Sequence, residues 1–501
     1  MESVQESPIG PLIQDNSDTE GGDTIDASSD GPRQLSLLRK IMFACGEFGW
    51  SLTAFSVSTL VSYFYMPPVQ DGTAKFSTFI SQHGFLIIFT SVGLINAVAR
   101  VFDAVTDPLV AGLSDRSNFR LGKRKTFMIA AIVPFSLSSV FAFIPLVGHE
   151  SVINAVWLLA LMVVFYWSMT CYVAPYSALL PEVGHTIAER LNMSTMLAIA
   201  WALGYGGGNC IYLTSAAVGA LGLSNVHAFQ VGVALNALVG FIAMLMPILA
   251  VREGVHTVHM PAKENIFTSF LTAMANGPFR VFGVCVCTFF LVQTFMTSGM
   301  VYYVTVLYDA SSLWATLLMA VVFIIAFLLQ APINYVAHKL GRKILMVTGF
   351  ALLSVDFLML AALTHVPVLS TVQLALIIVT IAYPISVFLM LPNAIISEIA
   401  VADAIETGRE GKSGMFFAAK TFSNKVGISA ANLIFPSLLL LGKSSAHPFG
   451  VRAIALTGSG ASVVGVVISL FFREGHITRV IREHQSRVEQ AGVDEEQTTL
   501  L

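Results

Sequence analysis

Asn96, Arg100, Asp103 and Asp107 sit in a segment otherwise apolar enough to cross a bilayer. At about 100° per residue they fall on one narrow stripe of a helix. An ionised side chain near the bilayer centre costs roughly 2.5–3.5 kcal/mol on insertion scales. Two acids and an arginine on one face should therefore turn from lipid towards a protein interior or a water-filled cavity. That is the usual setting of a coupling-ion or solute site. Asp103 and Asp107 together offer four carboxylate oxygens one helical turn apart, which suits a hard cation such as Na⁺, or a proton. Pro108 lacks an N–H and so frees the Ala104 carbonyl beside them. Two adjacent carboxylates repel, and Arg100 can relieve that repulsion when no cation is bound. The competing reading is a buried charge network that only locks helices together; buried ion pairs are weak sources of stability, which favours the coupling reading.

The elements that must hold this stripe follow from composition. Of 501 residues, 55% are hydrophobic and only 11% charged. Mean hydropathy is +0.76. Soluble proteins carry about 25% charged residues, so a polytopic membrane protein is expected. Cys45, Cys171, Cys210, Cys285 and Cys287 all lie in apolar segments and suggest neither a disulfide framework nor a zinc site. Residues 1–30 are acidic and polar, unlike a cleavable signal peptide.

Twelve apolar stretches are long enough to span, at about 20 residues each. They lie near 41–66, 83–113, 126–147, 152–179, 192–221, 228–250, 280–308, 312–337, 344–364, 367–396, 413–441 and 449–472. The expected organisation is a disordered acidic tail (1–34), a six-helix bundle (35–250), a connection (251–279), a second six-helix bundle (280–472) and a polar tail (473–501). Lys and Arg concentrate on one side of this arrangement, with only Lys75, Lys443 and Arg452 opposite. That asymmetry puts both termini in the cytoplasm. A weak internal repeat supports the two halves. SDRSNFRLGKRK, ending at Lys125, answers AHKLGRK, ending at Lys343; PYSALLPE, ending at Glu182, answers PNAIISE, ending at Glu398.

The residues FDAVTDPLVAGLSDRS followed by LGKRK, and the stretch from Leu391 to Gly427, resemble the two signatures of the glycoside-pentoside-hexuronide:cation symporters within the major facilitator superfamily. The family includes melibiose permeases and sodium-dependent lysophosphatidylcholine symporters. The resemblance implies an all-α membrane protein of twelve transmembrane helices in two pseudo-symmetric six-helix bundles. It also implies cation-coupled symport, by Na⁺ or H⁺, of an organic solute. It matches the family's cation-site acids to Asp103 and Asp107. An asparagine ligand of melibiose permeases is replaced here by Thr106, a threonine ligand of the fourth span is matched by Thr170, and a lysine facing the site by Lys425. The two galactoside-binding acids fall on Ser51 and Val173, so galactoside transport is not expected. A sugar or sugar derivative is the leading solute class and a lysophospholipid the alternative. A non-transporting receptor on the same fold is a rival of another class. An enzyme is not expected, because no nucleophile–base pair, metal motif or nucleotide loop stands out.

The loop residues Asp115, Arg116, Gly122, Lys123 and Arg124 read as a conformational gate pairing with Glu182 or Glu398, or simply as positive-inside charge. Glu47 and Asp356 are isolated acids at membrane depth; Asp356 is expected near the headgroups. Gly204, Gly206, Gly207 and Gly208 suggest close helix packing or a bend. Trp167, Tyr172, Tyr176 and Trp201 read as packing aromatics, with stacking on a solute as the alternative. The ending Glu496-Gln-Thr-Thr-Leu500-Leu501 fits an acidic dileucine address, which would direct the protein to endosomes or lysosomes instead of the plasma membrane. The expected partners are a small organic solute and the lipid bilayer, not nucleic acid. A monomer is expected, with no cofactor beyond the coupling ion.

Overall fold

The computed structural model describes residues 34–499 except 71–72, 83, 86–88, 118, 185, 254, 256–265, 363–366 and 408–412. It is a bundle of long helices: α1 (Leu37–Tyr65), α2 (Ser91–Arg116), α3 (Lys125–Phe141), α4 (Val152–Val183), α5 (Ile187–Gly207), α6 (Cys210–Gly219) and α7 (Asn225–Ala250), then α8 (Ile266–Ala275), α9 (Gly277–Tyr302), α10 (Ser312–Leu340), α11 (Arg342–Ala361), α12 (Pro367–Thr407), α13 (Ser413–Leu439), α14 (Phe449–Leu470) and α15 (Glu474–Thr499). Among the described residues, eight helical stretches are long and apolar enough to cross a membrane. The stretches holding α1, α2, α3 and α13 were also expected to span but are not among those eight. α3 has only 17 residues, and α2 carries the polar stripe.

Helices α1–α7 pack chiefly on one another, and so do α9–α14; the broadest contact between the two groups is α2 against α13. The acidic stripe and Lys425 therefore lie on the two helices that meet between the groups. The face where α1 begins and α14 ends is called the terminal face below.

Three boundaries differ from expectation for local reasons. The second span was expected from 83, but Gly84–Phe85 and Phe89–Thr90 pair as a tiny antiparallel hairpin. Helix α2 starts at Ser91, because the Thr90 hydroxyl accepts from Gly93 N at 3.0 Å and caps it. The fifth span breaks between α5 and α6 at Gly208–Asn209. A Cβ on Gly208 would sit 2.2 Å from the Phe55 ring, so this is a site of close helix approach, as the glycine cluster suggested. The tenth span runs on to Thr407 instead of stopping near 396.

The face opposite the terminal face is sealed across the two groups. The Tyr302 hydroxyl donates to Met66 O at 2.8 Å. Val69 N donates to Lys443 O at 3.1 Å, and the Lys443 ammonium donates to Gln82 Oε1. Lys75 Nζ donates to Ser312 Oγ at 3.1 Å. Burial in this seal pushes the Lys443 ammonium down to about 8 and also lowers that of Lys75. Among the described residues, the ion pairs of the terminal face each lie within one group.

Candidate functional site

Lys425 of α13 reaches across to both acids of α2. Its Nζ lies 2.8 Å from Asp103 Oδ1 and 2.6 Å from Asp107 Oδ2. Arg100 holds the other Asp103 oxygen, NH1 to Oδ2, at 3.2 Å. The Thr170 hydroxyl of α4 sits 2.9 Å from Asp103 Oδ1 and 3.1 Å from Asp107 Oδ1. It has one proton, so it donates to one carboxylate at a time. Asp103 is fully buried, while the Asp107 side chain is 31% exposed. The cluster holds two cations and two anions in balance, and Lys425 occupies the place between the carboxylates where a coupling cation would sit.

Thr106 is buried but its hydroxyl donates to Asp103 O at 3.0 Å, back along its own helix. In this conformation it is spent on the main chain and does not join the carboxylates. Tyr166, one turn before Thr170 on α4, lies under Arg100, whose guanidinium carbon is 4.7 Å from the ring centroid. Sequence reasoning missed Tyr166, although the four-residue spacing to Thr170 puts both on one face. The Arg100 Nε and the Tyr166 hydroxyl have no hydrogen-bond partner among the described residues. Each is a buried donor left over beside the charge cluster.

Lys425 is held in place by a close backbone approach. A Cβ on Gly427 would lie 2.1 Å from Cys287 O of α9. Only glycine lets α13 press against α9 there, two residues past the lysine.

The gate residues fall into two repeated units. Arg124 NH2 pairs with Glu182 at 3.0 Å, and Lys123 Nζ lies 3.5 Å from the same carboxylate. In the second group Arg342 pairs with Glu398. Each pair thus closes within its own group, instead of bridging the two. Asp115 and Arg116 lie in the last turn of α2, but their side chains are outside the described residues. Gly122 adopts φ +110° and Gly341 φ +86°, left-handed turns that glycine tolerates best.

A second acid in each unit escaped sequence reasoning. Glu253 accepts from Arg124 N at 3.0 Å and Lys125 N at 2.6 Å. Glu474 accepts from Arg342 N and Lys343 N, both at 2.8 Å. Each carboxylate satisfies free donors at the start of α3 or α11 and meets the positive end of that helix. The signal was present: Val251-Arg252-Glu253-Gly254 follows the sixth span and Phe472-Arg473-Glu474-Gly475 the twelfth.

Other candidates resolve as packing. Tyr172 donates to Met244 O at 2.9 Å and Tyr176 to Phe43 O at 2.7 Å. Trp201 stacks on Tyr205 with centroids 5.2 Å apart, and Trp167 is partly exposed beside Phe102. The Ser51 hydroxyl donates to main-chain oxygens of Phe48 and Trp201 in the α1–α5 contact. Asp356, expected near the headgroups, is fully buried between helices and accepts from Thr380 of α12 at 2.5 Å; a neighbouring hydroxyl makes burial tolerable. Leu500 and Leu501 lie outside the described residues.

Comparison with known proteins adds the family. Residues 42–472 match the model of the MFS/sugar transport protein family. The chain belongs to this family. It is thus a multi-pass membrane protein, and its relatives are transport proteins, not enzymes. It is 29% identical over 192 residues to "Sodium-dependent lysophosphatidylcholine symporter 1" of Xenopus tropicalis, covering 38% of this chain and 32% of that one. It is 24% identical over 277 residues to "Inner membrane symporter YicJ" of Escherichia coli, covering 54% and 55%. It is 22% identical over 244 residues to the "Isoprimeverose transporter" of Lactiplantibacillus pentosus, covering 48% and 47%. The chain spans 28%, 21% and 32% of the length of the first curated relatives it matches. Among solved structures it resembles the nucleoside transporter NupG, with TM-score 0.59 and 13% identity over 87% of this chain and 99% of that one. A bacterial homologue of the lysosomal transporter Spinster, inward-facing and unoccupied, gives TM-score 0.56 at 12% identity, covering 89% and 96%. These structural likenesses concern the fold.

Proposed function

We propose that this protein is a secondary active symporter that couples Na⁺ or H⁺ to movement of an organic solute by alternating access. The observation that carries this reading is Lys425 seated between Asp103 and Asp107 across the two helix groups. An ammonium in that place is an internal stand-in for the coupling cation. When a cation takes the carboxylates, the lysine is released and one link between the halves is lost. The asymmetric seal, closed opposite the termini and internally paired at the terminal face, corresponds to an inward-facing conformation with both termini cytoplasmic.

The unpaired donors Arg100 Nε and Tyr166 OH lie next to the cation cluster and call for a solute acceptor, such as a sugar hydroxyl or a phosphate oxygen. A sugar derivative is the first reading of the solute. A lysophospholipid is the second, favoured by the matched segment of the Xenopus tropicalis symporter. Galactosides fit poorly: Val173 offers no polar atom, and the Ser51 hydroxyl is engaged by main-chain carbonyls. Two lost acceptors, at about 1–3 kcal/mol each, weaken such a ligand by about 30-fold or more.

Proteoliposomes loaded with either Na⁺ or choline, at two pH values, test the reading with radiolabelled sugars and lysophosphatidylcholine. Uptake that follows the cation gradient supports it. Binding without gradient-driven accumulation of any solute would instead support a receptor on a transporter fold.

A further inference from the structure

A groove of about 670 Å³ opens on the terminal face where α14 ends and α15 begins, lined also by the α10–α11 turn. Its chemistry is two-sided. Leu470 and Phe471 form an exposed apolar wall at the end of a span. Lys343, Arg473, His476 and Arg479 supply its polar rim. Glu474 is the one acid among the lining residues. Both its oxygens are held by the main-chain N–H groups of Arg342 and Lys343, and its single negative charge is outnumbered by Lys343, Arg473 and Arg479, so the rim keeps a net positive charge. Lys343 Nζ donates to Leu470 O at 2.5 Å, fixing the rim to the wall. Arg473 and Arg479 are exposed and make no ion pair among the described residues. Apolar wall and basic rim meet at the end of a membrane helix, at the depth where acyl chains give way to headgroups.

We propose that this groove binds the headgroup of an anionic phospholipid. Arg473 and Arg479 contact the phosphate, and the wall of Leu470 and Phe471 carries the first part of an acyl chain. Guanidinium groups match phosphate oxygens in paired hydrogen bonds. Free phosphate satisfies the rim but leaves the wall bare, and a zwitterionic headgroup brings no net charge to Arg473 and Arg479. The bound lipid ties the start of α15 to the α10–α11 turn through the residues flanking Glu474, so it steadies the second helix group from outside. The site is remote from the cation cluster, and the inference needs the membrane reading but no particular solute.

Thermal unfolding of the full chain in detergent, titrated with dioctanoyl phosphatidylglycerol, dioctanoyl phosphatidylcholine or inorganic phosphate, tests it. Saturable stabilisation by phosphatidylglycerol alone is expected. In R473Q/R479Q its apparent affinity should fall by about 30-fold, from about 1 kcal/mol per basic side chain near an anionic surface and 1.4 kcal/mol per factor of ten. Arg487→Gln removes charge from exposed α15 outside the groove and should leave the affinity unchanged. If the double variant unfolds at a lower temperature without lipid, R473K/R479K keeps the charge but not the paired hydrogen bonds, and its affinity should fall between those of the wild type and R473Q/R479Q. Equal stabilisation by phosphatidylcholine, full reproduction by phosphate, or an equal loss in Arg487→Gln would overturn the proposal. Undiminished affinity in R473Q/R479Q would do the same.

Discussion

The terminal face and the middle of the molecule follow opposite rules. At the terminal face the two helix groups are near copies. Arg124 with Glu182 and Glu253 has its counterpart in Arg342 with Glu398 and Glu474. In the middle there is no copy among the described residues: both acids come from α2, and α13 replies with one lysine. The repeated parts hold helices at fixed angles, a task both halves share. The unrepeated part carries charge chemistry that one site performs once. Duplication is kept where it supports structure and broken where coupling is proposed.

The comparison is broken most severely at Asp103. Asp103→Asn leaves Arg100 and Lys425 buried with one carboxylate between them. Breaking a buried pair costs about 3–5 kcal/mol, so cation-driven accumulation should vanish and folded yield should fall. Asp107→Asn, at the more exposed acid, should abolish accumulation with near-normal yield. Accumulation by either variant with unchanged Na⁺ and pH dependence would remove the acids from coupling.

Lys425→Ala comes next. Without the internal ammonium, the carboxylates should take the coupling cation at lower concentration, and the pH dependence of uptake should change. Lys425→Arg keeps the charge in a different shape and should be milder. Normal yield with normal ion dependence in Lys425→Ala would leave the lysine no part in the mechanism.

The repeated units should respond alike. Glu253→Gln and Glu474→Gln each weaken a charged cap at a helix start, at about 1–2 kcal/mol. Their unfolding temperatures should drop by similar amounts, whereas the transport properties shift little. Gly122→Ala should cost more than Gly341→Ala, because its Cβ would lie 2.5 Å from the Glu253 carboxyl carbon, against 3.1 Å from a Glu474 oxygen. A large drop in one unit alone would mean that the two caps are not equivalent supports.

The smallest effect is expected at the sealed opposite face. Lys443, held near 8 by burial, has an ordinary value of 10.5 when solvated. Below about pH 8 it is charged whether the face is open or shut, and the burial penalty is fully present. Between about 8 and 10.5 the shut form loses its proton first, so the seal strengthens as pH rises. Lys443 remains partly exposed, which discounts the gain. Distance measurements between spin labels across this face should show the shift in wild type and not in Lys443→Gln.

Much of this was legible in the sequence. The stripe from Asn96 to Asp107 needed only helical spacing and the cost of charge in lipid. The likeness of LGKRK to LGRK, and of Glu182 to Glu398, marked the halves. The partner choice was not legible: Glu182 and Glu398 each close on their own half, because nearby backbone geometry decides which charges meet. Glu253 and Glu474 were overlooked because a cap on another helix's start leaves no local pattern, only the shared Arg-Glu-Gly after corresponding spans. Thr106 looked like a ligand by position, yet its hydroxyl turns back to Asp103 O, as short hydroxyl side chains in helices commonly do. The partner of Asp356 was not legible either, because Thr380 lies on the next helix, 24 residues later in the chain.

The contact at Gly427 gives the lysine its leverage. With α13 seated against α9 at that point, the ammonium cannot creep along its helix to follow the carboxylates. Its backbone anchor moves only with the second half. In the proposed mechanism, freeing the ammonium from Asp103 and Asp107 therefore unties two solid blocks at a fixed point, so little of the ion's effect is lost to slack in the helix itself.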